Sequence, residues 1–128
     1  MLVIQASLSV LMLKTAQAAP LPPPVPVIEI RSNETKLTPE DLIYKYMGQP
    51  SIMVRIAFAE SSLDPKAKGP TQDQGLFQII PSTWKAFKCI GDPYNIVDNI
   101  ICAEKIRKDG LHHWNASRYG NNGWGKYL

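Results

Sequence analysis

The chain has 128 residues, a length typical of one domain, and its 45% hydrophobic and 20% charged residues indicate a folded globular protein. The formal net charge of +3 comes from lysines and arginines scattered along the chain, which excludes the clustered basic stripe of a nucleic-acid-binding protein. His112 and His113 are the only histidines. Because neither an H-E-x-x-H motif nor a carboxylate spaced to join them is found, we expect no metal site and no cofactor.

Residues 1–18 have the pattern of a secretory signal peptide. An apolar run of about a dozen residues is too short to span a bilayer, which needs about 20, and it ends in Ala16-Gln17-Ala18, an A-x-A cleavage pattern. We predict cleavage after Ala18 and a secreted, periplasmic or cell-wall protein with no stable membrane anchor. An uncleaved anchor is the alternative. Cleavage removes Lys14 and leaves a net charge of +2, which suits an anionic polymer.

Residues 19–37 are predicted to be a spacer. The segment from Pro20 to Pro26 holds five prolines in seven residues, a composition that forms neither a helix nor a ladder and favours an extended polyproline chain. The residues that follow are polar and mixed, an irregular lead-in. We therefore predict that the folded domain comprises residues 38–128.

The domain is predicted to be mainly α-helical. Thr38 fits an N-cap, Pro39 the first helical position and Asp41 the acid of a capping box, so a first helix runs from here to Gly48. The segment Gly75–Ile80 is ambiguous between a strand and a buried turn. The other expected elements are a helix over 51–62, a loop over 66–74, a helix over 81–87, a helix from Asp92-Pro93 to Gly110 and a short helix over 111–117.

Cys89 and Cys102 are the only cysteines. In an exported chain an even pair favours a disulfide, and closing a loop of this size contributes about 3 kcal/mol in the chain-entropy model. The chain has no C-x-x-C motif, so a redox site is not expected.

Glu60 places a charge at the end of an otherwise apolar helical run. It shares a helical face with Ile52 and Ile56. A carboxyl on a face that turns to the core loses hydration, which raises its pKa and suits it to general acid catalysis. The alternative is an exposed carboxylate at a frayed helix end, bonded to Ser61 or Ser62.

Two ordered motifs resemble a known family. Glu60-Ser61, with Asp64-Pro65 after it, is followed ten residues later by Gly75-Leu76-Phe77-Gln78-Ile79. This pattern is similar to that of the lysozyme-like transglycosylase domain family, the soluble lytic transglycosylases, with Phe77 where Met is usual. The family's third motif, Ala-Tyr-Asn-Ala-Gly, is only loosely matched by residues 116–121. The resemblance covers about residues 38–125.

The resemblance implies a small lysozyme-like helical domain with a short loop or strand segment beside the cleft. It also implies cleavage of the β-1,4 bond between N-acetylmuramic acid and N-acetylglucosamine, with Glu60 as the single acid and base and 1,6-anhydro ends as products. Ser61, Gly75, Gln78 and Tyr119 are then candidates for substrate binding. Tyr119, Trp114 and Trp124 are candidates for stacking on sugar faces, and we expect Trp124 at the cleft or the surface.

Two alternatives remain open. Asp73 lies two residues before Gly75; if it reached the cleft it would orient water and make the chain a hydrolytic lysozyme, although a solvated turn aspartate is the simpler interpretation. The second alternative is a non-catalytic module that binds glycans, against which the presence of Glu60 argues. In each case peptidoglycan glycan strands are the expected partner of a monomeric chain.

Overall fold

The computed structural model describes residues 19–21 and 35–128. The predicted signal peptide and residues 22–34 of the predicted spacer lie outside the described residues. The chain divides into two units between Asn33 and Glu34, and every element given below belongs to the second unit. In the part that is described, no helix combines the length and the apolar character needed to cross a bilayer.

The second unit is mainly helical, as the sequence predicts. Its extended structure, within the described residues, consists of isolated bridges that pair Lys68 with Gln74 and Gln74 with Ile79. The helices are α1 (Pro39–Tyr46), α2 (Pro50–Ser61), α3 (Pro81–Ala86) and α4 (Ile96–Asp109), followed by 3-10 helices at Leu111–Ser117 and Trp124–Tyr127.

Local sequence signals explain where α1 begins. The Thr38 hydroxyl accepts from the Asp41 amide at 3.2 Å, and Asp41 Oδ2 accepts from the Thr38 amide at 2.9 Å. This reciprocal capping box satisfies two amides that would otherwise lack a partner. Pro39 fills the first helical position, where no amide hydrogen is needed.

The predicted start of α4 at Asp92-Pro93 is wrong. The helix begins at Ile96 because Asn95 is its N-cap: Asn95 Oδ1 accepts from the amides of Val97 at 3.0 Å and Asp98 at 3.1 Å. Asp92 instead closes a turn before the helix, where its Oδ1 accepts from the Tyr94 amide at 2.8 Å.

Residues 74–79 form a buried turn, which resolves the ambiguity left by the sequence. The backbones of Gln74 and Ile79 bond to each other in both directions, at 3.1 and 3.2 Å. Gly75 has φ +74°, and a Cβ there would collide with the Pro93 carbonyl oxygen and lie 2.6 Å from Asn99 Nδ2. The close approach that Gly75 permits is therefore to α4 and the loop before it.

Asn99 fastens this turn to α4. Among the described residues, Asn99 is the polar residue that is buried, and it has no exposed surface. Its Oδ1 accepts from the Phe77 amide at 2.9 Å, and its Nδ2 donates to the carbonyls of Gln74 at 3.1 Å and Pro93 at 2.8 Å. The first of these bonds pairs the buried Phe77 amide, which burial would otherwise leave without a partner.

The apolar core lies between α1, α2, α4 and the 3-10 helices. Trp124 is buried in it, and its indole N–H donates to the Trp114 carbonyl at 3.0 Å. The expected position of Trp124 at the cleft or surface is therefore wrong. The largest fully buried apolar side chains besides Trp124 are Ile43, Met53, Ile56, Leu76, Phe77, Ile100 and Ile106.

The predicted disulfide is present between Cys89 and Cys102, whose Cα atoms are 5.3 Å apart. It joins the segment after α3 to the second turn of α4. The bridge thus links two elements that flank the buried turn over residues 74–79.

Candidate active site

Glu60 is the penultimate residue of α2 and lies half-buried at the wall of a cavity of about 290 Å³. The helix stops one residue later because Ser62 and Leu63 take left-handed backbone conformations, with φ +55° and +64°. The cavity is lined by Glu60, Thr71, Asp73, Gln78, Ile79, Ile80, Thr83, Ile106, His113, Trp114 and Ala116.

The groups around Glu60 shift the pKa of its carboxyl in opposite directions. Burial raises the pKa of the Glu60 carboxyl, and the negative charge of Asp73 raises it further. The Ser117 hydroxyl donates to Glu60 Oε1 at 2.5 Å, which lowers that pKa. The net direction is upward, so the carboxyl keeps its proton to a higher pH than an exposed glutamate.

Ser61 does not contact the Glu60 carboxyl. Its hydroxyl lies 3.1 Å from the Ala57 carbonyl and 2.7 Å from the Leu76 carbonyl. The hydrogen bond from Ser61 to Glu60 that the sequence offered as an alternative is not formed; instead, Ser61 ties the end of α2 to the buried turn. The reason is geometric, because a serine near a helix end bonds readily to the carbonyl four residues earlier.

Gln78 lines the cavity with Glu60, as the motif implies. Its Nε2 donates to the carbonyls of Ala67 at 3.1 Å and Gly75 at 2.9 Å. These bonds fix the amide plane, so that Oε1 is the atom with accepting capacity for a sugar hydroxyl or amide.

Asp73 lines the same cavity. Its Oδ2 accepts from the Thr71 hydroxyl at 2.6 Å, which is the turn role that the sequence favours, while its position in the cavity wall is the one that the hydrolytic alternative requires. The two interpretations are not exclusive, because a carboxylate has further lone pairs.

Tyr119 lies outside the cavity. Its side chain is 76% exposed, next to the Arg118 guanidinium at 5.6 Å from the ring. Trp114 is the aromatic residue of the cavity wall; it is 4% exposed, and its indole N–H donates to the Phe77 carbonyl at 3.1 Å. Of the aromatic residues proposed to stack on sugars, only Trp114 lines this cavity.

Sequence reasoning missed Ser117 and His113. Ser117 lies in the segment that matches the third family motif loosely, two residues before Tyr119, and this position is the one signal that pointed to it. His113 lines the cavity and lies 2.6 Å from Asp109 Oδ2 through its Nε2. A carboxylate is therefore spaced to join the two histidines, contrary to the expectation from the sequence: Asp109 precedes them by three and four residues.

One comparison with known proteins gives a match. The family model described as the Transglycosylase SLT domain matches residues 39–124. That range contains α1 to α4 together with Glu60, Gln78 and Ser117, and it confirms the resemblance found in the two ordered motifs. No curated protein and no solved structure matches the chain.

Proposed function

The chain belongs to the transglycosylase SLT domain family, and from this premise we propose that it cleaves the β-1,4 bond between N-acetylmuramic acid and N-acetylglucosamine. Glu60 is the single acid and base, and the product carries a 1,6-anhydro ring. The observation that carries the proposal is the position of Glu60: a half-buried carboxyl with a raised pKa in the wall of a cavity of about 290 Å³.

The raised pKa of Glu60 fits the first half of the reaction. The protonated carboxyl gives its proton to the glycosidic oxygen as the bond from that oxygen to the anomeric carbon breaks. The oxygen leaves as a free hydroxyl, and the sugar ring develops oxocarbenium character. The carboxylate of Asp73, which lines the same cavity, supplies negative charge that stabilises the positive charge of that ring.

The second half of the reaction returns the proton. The C6 hydroxyl of the muramic residue attacks its own anomeric carbon, and the Glu60 carboxylate takes up the hydroxyl proton. The nucleophile belongs to the bound substrate, so its effective concentration far exceeds that of water. No water is consumed, and the enzyme ends in its starting protonation state.

Ser117 supports both protonation states of Glu60. Its hydroxyl lies 2.5 Å from Glu60 Oε1 and 3.2 Å from the Trp114 carbonyl oxygen. The hydroxyl donates to Oε1 in both states, because the proton that Glu60 passes to the glycosidic oxygen is carried on its other carboxyl oxygen, Oε2. We therefore assign Ser117 as the residue that holds the carboxyl in one rotamer through the proton transfer.

Hydrolysis is the second candidate, since Asp73 lies in the cavity with Glu60. In this mechanism Asp73 orients water onto the anomeric carbon, and reducing ends form. We favour the anhydro product because the C6 hydroxyl is already held in the bound substrate, whereas the Thr71 hydroxyl occupies one oxygen of Asp73, the group that would have to position water.

Peptidoglycan lies outside the cytoplasm, so a domain of this family acts in an extracytoplasmic location. We propose that residues 1–18 direct export and that residues 19–37 act as a spacer before the domain. The disulfide between Cys89 and Cys102 supports this, because such bonds persist in oxidising compartments.

Product analysis tests the proposal. Purified sacculi are digested, and the soluble fragments are weighed by mass spectrometry, with the Glu60→Gln variant as the inactive control. We expect muropeptides lighter by one water than their reducing counterparts, and we expect Asp73→Asn to release the same products. Reducing ends that disappear in Asp73→Asn would establish hydrolysis instead. Saturable glycan binding without fragments would identify a non-catalytic binding module.

A further inference from the structure

The junction between α4 and the 3-10 helix at Leu111–Ser117 carries a second cluster of chemically active side chains, apart from the proposed acid. We propose that Asp109, His112 and His113 form a binding site for a divalent transition-metal cation of the zinc class. The three side chains each offer one ligand atom, and these atoms all lie within 4.8 Å of one another. The inference does not depend on the proposed function.

Both imidazoles converge on one carboxylate oxygen. Asp109 Oδ2 lies 2.6 Å from His113 Nε2 and 3.7 Å from His112 Nε2. In a tetrahedral zinc site with ligands at about 2.0–2.2 Å, neighbouring ligand atoms are about 3.4 Å apart. The two observed distances lie on either side of that value, so small rotations of exposed side chains open a coordination position between the three atoms.

Each of the two imidazole rings packs against a different residue of the fold. The His113 ring packs edge-on against Phe87 at 5.3 Å between ring centroids, which restricts its rotation. The His112 ring folds back against Gly110, where an added Cβ would lie 2.5 Å from His112 Nδ1. Gly110 has φ +143°, so the residue that ends α4 also makes room for the second imidazole.

The donor set selects the class of cation. Two neutral imidazoles with one carboxylate suit zinc, copper or nickel better than calcium or magnesium, which prefer oxygen ligands alone. Three protein ligands also leave a position for water or a further ligand. Both cysteines are in the disulfide and the chain has no other histidine, so imidazole or thiolate binding of such a cation by the folded chain requires this cluster.

The position of His113 connects the cluster to the cavity. The same ring that contributes Nε2 to the cluster lines the cavity that contains Glu60. A bound cation therefore fixes a side chain of the cavity wall and adds positive charge beside it.

Calorimetric titration of the purified chain, carrying no affinity tag, with Zn²⁺ tests the site. We expect one cation per chain, and we expect His112→Ala and Asp109→Asn each to weaken binding by about tenfold or more, since loss of a ligand costs at least as much as loss of its outer partner. Asp64→Asn removes an equivalent exposed carboxylate near the end of α2 and is the matched control, for which unchanged affinity is expected.

Imidazole resonances give a readout that does not depend on the variants folding. Because the chain has two histidines, Zn²⁺ at the proposed site perturbs both imidazoles of the wild-type chain in step with the calorimetric saturation. No saturable binding at millimolar Zn²⁺, unshifted imidazoles, or equal affinity in folded Asp109→Asn and Asp64→Asn would each overturn the proposal.

Discussion

The two walls of the cavity are built differently. The wall over residues 74–80 is a buried turn, fastened by Asn99 and by the Ser61 hydroxyl. The second wall, over residues 113–117, is a 3-10 segment in which only Trp114 is buried. Ser117 and His113 on this wall bond to the carboxylates of Glu60 and Asp109.

This difference separates stability from chemistry. Buried bonds to backbone groups on the first wall are costly to break, because the groups left behind have no water to replace the lost partner. On the second wall the Ser117 side chain reaches the proposed acid, and Trp114 is the one side chain of this wall that belongs to the buried core. We therefore expect changes on the first wall to lower folding stability and changes on the second to alter rate and pH dependence.

The largest expected effect is that of Glu60→Gln, which removes the acid between the two walls. We expect lysis of sacculi to fall about a thousandfold, as for loss of a general acid. Since burial raises the pKa of Glu60 in the folded state, ionisation destabilises the fold as pH rises above the unfolded-state pKa. The amide removes this cost, so at neutral pH the melting temperature is expected to be unchanged or higher.

Glu40→Gln is the matched control, because Glu40 lies in the first turn of α1 and does not line the cavity. It is expected to retain full lytic activity. If Glu60→Gln cleared sacculi at more than a few per cent of the wild-type rate, the assignment of Glu60 as the acid would be wrong.

Asn99→Ala tests the first wall. The change removes three hydrogen bonds to backbone groups, one to the buried Phe77 amide and two to the partly buried carbonyls of Gln74 and Pro93, and we expect a loss of about 3 kcal/mol in the free energy of unfolding. Urea denaturation measures it. Asn115→Ala, at an exposed position of the second wall, is expected to change stability by less than about 0.5 kcal/mol. Equal losses in the two variants would remove the contrast.

Removal of the disulfide tests stability away from both walls, because neither cysteine lines the cavity. For a separation of 13 residues, Cys89→Ala with Cys102→Ala is expected to cost about 3 kcal/mol of stability. At a temperature where the variant is folded, its specific activity is expected to equal that of the wild type. A map of the oxidised protein with both thiols alkylated would contradict the bond itself.

Ser117→Ala and Asp73→Asn are expected to shift the pH dependence of activity in opposite directions. The Ser117 bond lowers the pKa of Glu60 and the Asp73 charge raises it. Activity falls at high pH as Glu60 loses its proton, and this fall forms the alkaline limb of the pH-activity profile. Ser117→Ala is expected to move that limb to higher pH, and Asp73→Asn is expected to move it to lower pH. We also expect Ser117→Ala to reduce the rate about tenfold, through loss of a bond to a charged group.

The test is whether the two variants shift the alkaline limb in opposite directions, which rate measurements across the pH range determine. A merely structural role for Ser117 would lower the rate without moving the limb. Shifts in the same direction for both variants would show that the limb does not report Glu60.

The sequence by itself determined the features that depend on residues close together in the chain. The capping box at Thr38 and Asp41 and the prolines at the first turns place the helices, because capping is satisfied within a few residues. The same is true of Glu60 at the end of α2, since helical periodicity puts it on the face of Ile56. The two ordered motifs were also sufficient to indicate the family that the match over residues 39–124 shows.

Only the tertiary structure decided which distant groups meet. Ser117 is 57 residues from Glu60, and nothing near either residue indicates that they bond. Asn99 occurs in a helix whose periodicity marks no special role, yet the turn at Phe77 packs against it and needs its amide. Trp124 is buried for the same reason: long-range packing, rather than local propensity, determines which surfaces are removed from water.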